Sequence, residues 1–301
     1  ESRETHWFDG TPASLMDALR RTHQETLDQD DIVEKTAKSL RVHLEGIAEL
    51  WSGPATACDR LSELLGIAAP KHEALDKATA RRNTAARVSA LVLANALIFQ
   101  EQLSATNTDV LQLRKLERER DLVGAAASHW EWIWQNVNYT PIFQLGGRIL
   151  NELPSSQNTS RALRALLGEA KSICEKQAAL RHDLMGRIYH WLLHDAKYLG
   201  TYYTSVSAAT LLLKLALNRE WGIDFGDDRS LESFKVGDLA CGTGTLLMAS
   251  AQALADNFIR IRAGDGRSLH PFDLNRFHRA LMESVLHGYD VLPSAVHLTA
   301  S

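Results

Sequence analysis

Between Phe234 and Leu247 the sequence reads FKVGDLACGTGTLL: a short β-type run (Phe234 to Leu239) with an acid near its end, a turn holding two glycines, then an apolar helical pattern. A strand, a tight loop and a helix in that order make a cradle for a small molecule. Gly242 and Gly244 carry no Cβ, so the turn can take positive φ and a ligand can come close to the backbone. The N–H groups at the helix start face whatever lies there and favour negative charge. A dinucleotide fingerprint G-x-G-x-x-G needs a third glycine where this chain has Leu247, which argues against a nicotinamide enzyme. Glycine-rich turns also serve as plain structure, so the loop alone leaves that reading open.

Two other stretches carry similar chemistry. From Asp183 to Leu217 the pattern is a helix, a break at Gly200, and a second helix capped by Thr204 or Ser205. Tyr202, Tyr203 and two hydroxyls thereby sit at a helix N-terminus, where a carboxylate is favoured, or simply cap the helix over two packed tyrosines. Near the end, HGYDVLPSAVHLTAS follows a helix expected from about Phe272 to Leu286 and puts Asp290 at the end of a second strand. A carboxylate there can accept two hydrogen bonds from a vicinal diol, or be an ordinary loop acid.

Taken together, these stretches resemble the S-adenosylmethionine-dependent DNA adenine-N6 methyltransferases, the N-6 DNA methylases of restriction-modification systems. DLACGTGTLL is similar to their D-P-A-C-G-S-G-x-F-L loop, with Leu239 and Thr243 in place of the usual Pro and Ser. Asp183, Gly186 and Tyr189, then Gly200, Tyr202, Tyr203 and Thr204, match D-x-x-G-x-x-Y followed by G-x-Y-Y-T-P. Ser205 replaces the final Pro, at some loss of preorganisation. Gly288, Asp290, Pro293, Ala295, Val296 and Leu298 match G-x-D-x-x-P-x-A-V-x-L-A. With the tyrosine element ahead of the glycine loop, the order resembles the adenine-N6 class and not the cytosine-C5 enzymes. The resemblance covers about Asp183 to Ser301; the preceding helical half has a weaker likeness to the helical regions of large restriction-modification methyltransferases.

The resemblance implies that S-adenosyl-L-methionine is held by Tyr202, Tyr203, Thr204, Asp238, Ala240, Cys241, Gly242, Thr243, Gly244, Asp290 and Val291. In that picture Thr204 and the loop backbone take the methionine end, Asp238 anchors the glycine turn and reaches the cofactor's amino group, and Asp290 takes the ribose. The implied reaction methylates the exocyclic amine of a DNA adenine flipped out of its duplex. It implies DNA as partner through the intact enzyme, and a specificity or nuclease subunit or fused domain in restriction-modification or phage defence. Two other classes stay open: a non-catalytic helical module that uses bound cofactor for regulation or assembly, and a methyltransferase of RNA or protein. The family's catalytic loop, Asn/Asp-Pro-Pro-Tyr/Phe, needs adjacent prolines, and the seven prolines here are all isolated. The nearest lookalike, Asn138 to Phe143, lies far ahead of the glycine loop, so no catalytic residue is assigned. The expectation is an enzyme fragment, inactive alone, whose sheet lacks strands beside the first and has an edge that must be covered or left unpaired.

The elements that must position these residues follow from composition and period. A chain of 301 residues, 45% hydrophobic and 23% charged, has room for two globular domains. The net charge of -4 gives no global attraction for nucleic acid, so a DNA contact needs a local basic face or parts outside the chain. Three distant cysteines (Cys58, Cys174, Cys241), with no C-x-x-C or H-E-x-x-H pattern, fit a reducing, cytoplasmic setting without a metal, and the twelve histidines lack ligand spacing. The apolar run Val88 to Phe99 falls short of the roughly 20 residues of a spanning helix and reads as a buried core helix, not a membrane segment. No secretory leader follows Glu1 and no Met starts the chain, so an internal start is expected.

Up to about Leu180 almost every segment has helical period. Thr11-Pro12 opens a first helix and Asp30 or Asp31 a second that runs to Trp51, stopped by Ser52-Gly53-Pro54. Pro70 begins a long pattern through Val88 to Phe99, Asn107 to Asp109 caps a helix from Leu111 to Trp134, and two more follow Thr140-Pro141 and Asn158-Thr159. The fold class is therefore a mainly α-helical N-terminal domain, residues 1–180, followed by what resembles the start of an α/β Rossmann-like, doubly wound methyltransferase domain, residues 181–301. Trp130, Trp132 and Trp134 with Tyr139 and Phe143 offer either a base-stacking surface or core packing. Arg81-Arg82-Arg87 and Arg114-Lys115-Arg118-Arg120 offer either phosphate contacts or solvated helix faces.

Overall fold

A computed structural model describes residues 11–51, 55–67, 74–176, 183–192, 204–217, 221–225, 227–264, 266 and 270–301. Helices make up 78% of the structure, and its sheet is one pair of three-residue strands, β1 (Val236–Asp238) and β2 (Leu286–Gly288). The helical half is thus as expected, while the doubly wound sheet is not built out beyond this pair among the described residues. The β-type run Phe234 to Leu239 shortens to three residues because Leu239 and Ala240 already turn, and Gly237 and Gly288 stay exposed where central strands would be covered.

The chain folds as two compact units: Glu1–Glu34 with Thr204–Asp238 and Leu246–His287, and Lys35–Tyr203 with Leu239–Thr245 and Gly288–Ser301. The second is built around α3 (Leu75–Thr106), in which every residue from Val88 to Ile98 is buried. A helix apolar on all sides must lie at the centre. Around it pack α2 (Ala55–Leu64), α6 (Thr140–Glu152), α7 (Gln157–Glu175), α8 (Asp183–Leu192) and α13 (Pro293–Ala300), while α5 (Leu122–Asn136) packs on α6 and α7. By length and composition α3 could cross a membrane, but 72% of its most apolar window is buried within the protein, which makes it a core helix.

Several buried polar groups in this unit have specific partners. Trp130, fully buried on α5, donates Nε1–H to Gln100 Oε1 at 2.7 Å, and Gln100 Nε2 donates to the Leu111 carbonyl at 2.6 Å. Gly146 admits the Trp130 ring against α6, since a Cβ there would meet the ring at 2.9 Å. His297 on α13 is fully buried, with Nε2 3.0 Å from Asn95 Nδ2 on α3 and Nδ1 3.3 Å from the Pro141 carbonyl on α6. A carbonyl only accepts, so Nδ1 carries a proton, and in the neutral ring that burial favours Nε2 accepts from Asn95. Burial pushes its pKa down to about 4.

Several helix boundaries differ from expectation. α1 is one helix from Pro12 to Trp51, opened by Thr11, whose Oγ1 accepts from the Ser14 N–H at 3.3 Å. Asp30 and Asp31 do not break it, because aspartate lowers helix propensity by well under about 1 kcal/mol and no proline lies between Pro12 and Trp51. Its Leu40, Leu44, Ile47 and Trp51 form the buried stripe. The helix expected from Leu111 to Trp134 is two: α4 (Leu113–Leu116), then α5, capped by Asp121, whose Oδ1 accepts from the Gly124 N–H at 3.0 Å. Pro70 lies outside the described residues. α5 and α6 join through Asn138 (φ 122°) and Tyr139 (φ 67°), two consecutive non-glycine residues of positive φ, held by Tyr139 packed edge-on to Phe99 at 5.0 Å.

The first unit has its own core. α9 (Val206–Ala216), α10 (Asp228–Ser233), α11 (Thr245–Gly264) and α12 (Pro271–Ala280) surround Phe225, Leu254, Phe258, Phe277 and Val285, with Phe258 and Phe277 stacked at 4.5 Å. Asn257 Nδ2 donates to the Leu217 carbonyl at 2.7 Å and so ties down the end of α9. The single helix expected from Phe272 to Leu286 ends as a π-helical turn, Leu281–Val285, before β2.

Replacing Asn138 by Gly removes a side chain from a backbone that resists it, and is expected to stabilise the protein by about 1 kcal/mol, read as a higher melting temperature. His297 sets a pH dependence with a definite sign. Its folded pKa lies below the unfolded value, so its contribution is complete above about pH 6.5 and lost as pH falls toward 4, by about 3 kcal/mol at most. His297→Gln should flatten that part of a denaturation-versus-pH curve.

Candidate functional site

The loop Leu239–Thr245 belongs to the same compact unit as Gly288–Ser301, and these two segments grip each other. The Cys241 N–H donates to the Tyr289 carbonyl at 2.9 Å, and the Gly242 N–H donates to Asp290 Oδ2 at 2.9 Å. The other Asp290 oxygen, Oδ1, accepts from the Leu292 N–H at 2.9 Å, an Asx turn that feeds Pro293 into the first turn of α13. Thr299, from the far end of α13, donates Oγ1–H to the Gly242 carbonyl at 2.8 Å. The turn closes on itself where the Gly244 N–H donates to the Cys241 carbonyl at 2.8 Å.

Gly242 and Gly244 have φ of +54° and +82°. Their reasons for being glycine differ. A Cβ on Gly242 would meet nothing within 4 Å, so its backbone lies open to a ligand, whereas one on Gly244 would come within 3.0 Å of Thr299 Cγ2. Gly244 is thus held by packing on α13, and Gly242 is the point of approach. That open cradle fits the S-adenosyl cofactor implied by the resemblance.

α8 supports the loop from another side. A Cβ on Gly186 would lie 3.0 Å from Thr243 Oγ1, so Gly186 is where helix and loop touch. His190 Nε2 lies 3.4 Å from the same hydroxyl, and burial lowers the His190 pKa. Tyr189 is 1% exposed, its hydroxyl 2.8 Å from Ser294 Oγ on α13, and burial raises its pKa to about 12. Gly186 and Tyr189 of the motif D-x-x-G-x-x-Y therefore contact the loop and α13, a role their spacing does not announce.

The site residues named from the sequence divide into groups. Cys241, Gly242, Thr243, Gly244 and Asp290 come together as described; Cys241 and Gly244 are buried, and Ala240 and Val291 are exposed. Val291, 89% exposed beside Asp290, presents an apolar face to solvent. Asp238 ends β1, half-buried, and Thr204 precedes the N-cap Ser205, whose Oγ accepts from the Ala208 N–H at 3.3 Å; both belong to the other unit. Tyr202 and Tyr203 lie outside the described residues. The Gly242 N–H is held by the Asp290 side chain.

Some of the other sequence candidates are engaged elsewhere, while Arg114, Lys115, Arg118 and Arg120 are exposed. Arg81 and Arg82 both bind Asp59, at 2.8 Å each, and the Arg82 hydrogen bonds, with those of Arg81, hold the Asp59 carboxyl down to about 2. Glu117 takes Lys171 at 2.9 Å, and its carbonyl takes Arg164 at 2.7 Å. Trp130 is core, and Trp132, 36% exposed, stacks on His129 at 5.7 Å. Beside Asp290 opens a groove of about 250 Å³ whose far wall is α6.

Residues 180–299 match the model of the N-6 DNA Methylase family, the family that the motifs from Asp183 to Ser301 resemble. Comparison with curated proteins and with solved structures gave no significant match.

Asp290→Ala removes both charge-assisted acceptors at once. The local cost is expected to be about 1.5–3 kcal/mol per bond, read as at least a tenfold rise in amide exchange at Gly242 and Leu292, while α3 amides keep their protection.

Proposed function

We propose, on the premise that residues 180–299 form an N-6 DNA methylase domain, that this chain carries the S-adenosyl-L-methionine cradle of a DNA adenine-N6 methyltransferase. The observation that carries the reading is the Gly242 N–H seated on the Asp290 carboxylate. It joins the glycine turn to the acid that follows β2, both inside the matched stretch. When bound, the cofactor supplies an electrophilic methyl group. The chain's own residues bind and orient. Each Asp290 oxygen keeps a further lone pair and accepts a ribose hydroxyl, and the open Gly242 backbone lets the cofactor approach. By the family resemblance, Thr204 and the loop backbone take the methionine end, with Tyr202, Tyr203, Asp238, Ala240, Cys241, Thr243, Gly244 and Val291 as the remaining contacts.

The same proposal takes residues 181–301 as the opening part of a Rossmann-like domain after a helical domain of residues 1–180, in a cytoplasmic restriction-modification or defence enzyme. DNA, and a specificity or nuclease subunit or domain, are its partners. Asp59 occupies two of the most basic positions in the helical part, which supports placing the DNA contact elsewhere. Residues 1–301 have no adjacent prolines with which to hold a flipped adenine, so the chain binds cofactor and does not transfer the methyl group by itself.

The test incubates the purified chain with labelled cofactor and mixed-sequence DNA, beside the product of the whole reading frame. No methyl incorporation by the chain is expected, together with cofactor binding that Gly242→Val abolishes. Incorporation near the rate of the whole product would overturn the division of labour, and unchanged binding by Gly242→Val would reduce the loop to a structural turn.

A further inference from the structure

The groove beside Asp290 is built from two stretches of very different standing. Asp290, Pro293 and Val296 lie inside the family match, whereas Gln144 and Arg148, on α6, lie outside it. We propose that α6 supplies the second wall of the nucleoside site: Gln144 reads the edge of the cofactor's adenine and Arg148 lies against its face, with Asp290 on the ribose. This rests on the function proposed above in taking the S-adenosyl cofactor as ligand.

Size and chemistry carry the assignment. At about 250 Å³ the groove is smaller than the roughly 300–1,000 Å³ of drug-sized pockets, so it holds one part of the cofactor and not the whole. Its apolar residues Pro141, Leu145, Pro293 and Val296 suit a flat ring, and Gln144, Arg148 and Asp290 are among its polar ones. Gln144 and Arg148 stand four apart on one helix face, and both are exposed. A glutamine amide offers a donor and an acceptor in the spacing that adenine presents at its amine and neighbouring ring nitrogen. A guanidinium plane stacks on a base, and Arg148 makes no ion pair among the described residues that would hold it away. The left-handed Asn138–Tyr139 link lies just ahead of Thr140, so α6 starts from a strained backbone at the mouth of the groove.

The test is calorimetry of the chain with S-adenosylhomocysteine and with its inosine counterpart, in which a carbonyl replaces the adenine amine. The unsubstituted chain should prefer the adenosyl compound by about tenfold or more, the order expected for a bidentate side chain on a base edge. Gln144→Ala should bring the two compounds to near equality. Arg148→Ala should weaken both about tenfold, with Arg148→Lys restoring little, as expected of stacking. Because both side chains are exposed, thermal melts should match the unsubstituted chain. If Asp290→Ala weakens binding while the α6 variants bind and discriminate as before, the inference fails and the proposed function stands. If the chain binds neither compound, the cofactor reading fails and takes the inference with it. Loss of binding to an adenine-containing single strand, with cofactor affinity unchanged, would reassign α6 to the target base and overturn the proposal.

Discussion

A backbone N–H at Gly242 and a carboxylate 48 residues later at Asp290 meet at 2.9 Å, and much of the second unit is arranged so that they can. A turn with two positive-φ glycines has little shape of its own; its conformational freedom is the cost of using glycine. The carboxylate removes that freedom at one atom, and the Thr299 hydroxyl removes it at the Gly242 carbonyl. Neither group could do so unless α13 were fixed. The helix is fixed by His297 between Asn95 and Pro141 and by Ser294 against Tyr189. Order therefore runs from the core helix α3 through buried polar pairs to the glycine loop.

The division into units follows the same logic. The glycine loop and the Asp290 segment belong to the unit of the helical core, although both lie within residues 180–299 that match the methylase family. In this structure two strands half open to solvent pair only with each other among the described residues. Such a pair contributes little stability alone. The helical half, with its continuous core, is the firmer support available.

How much of this could be read from the sequence depends on whether the governing interaction is local. The buried run Val88 to Ile98, the Thr11-Pro12 start and the Ser205 cap follow from neighbours within a few positions, and each was legible. The glycines at 242 and 244 and the acid at 290 were legible as types in a spacing. Their partnership was not, because nothing in the spacing says that the acid at 290 takes the N–H of a residue 48 positions earlier. Gly186 against Thr243, Tyr189 with Ser294 and Asn95 with His297 are separated by tens to hundreds of residues, and no periodicity marks such pairs. The unbroken α1 was missed for the opposite reason, since two aspartates look like a cap when a capless continuation costs little.

The grip of α13 on the glycine turn also sets a schedule. Thr299 lies 57 residues after Gly242 and Asp290 lies 48 after it, so neither hold exists while the turn is being synthesised. At 5–20 residues per second the wait for Thr299 is roughly 3–11 s, long compared with the microseconds in which nearby helices form. During that interval the turn is a floppy segment between finished helices. Its shape is imposed from downstream, by residues made only after the helix that follows it.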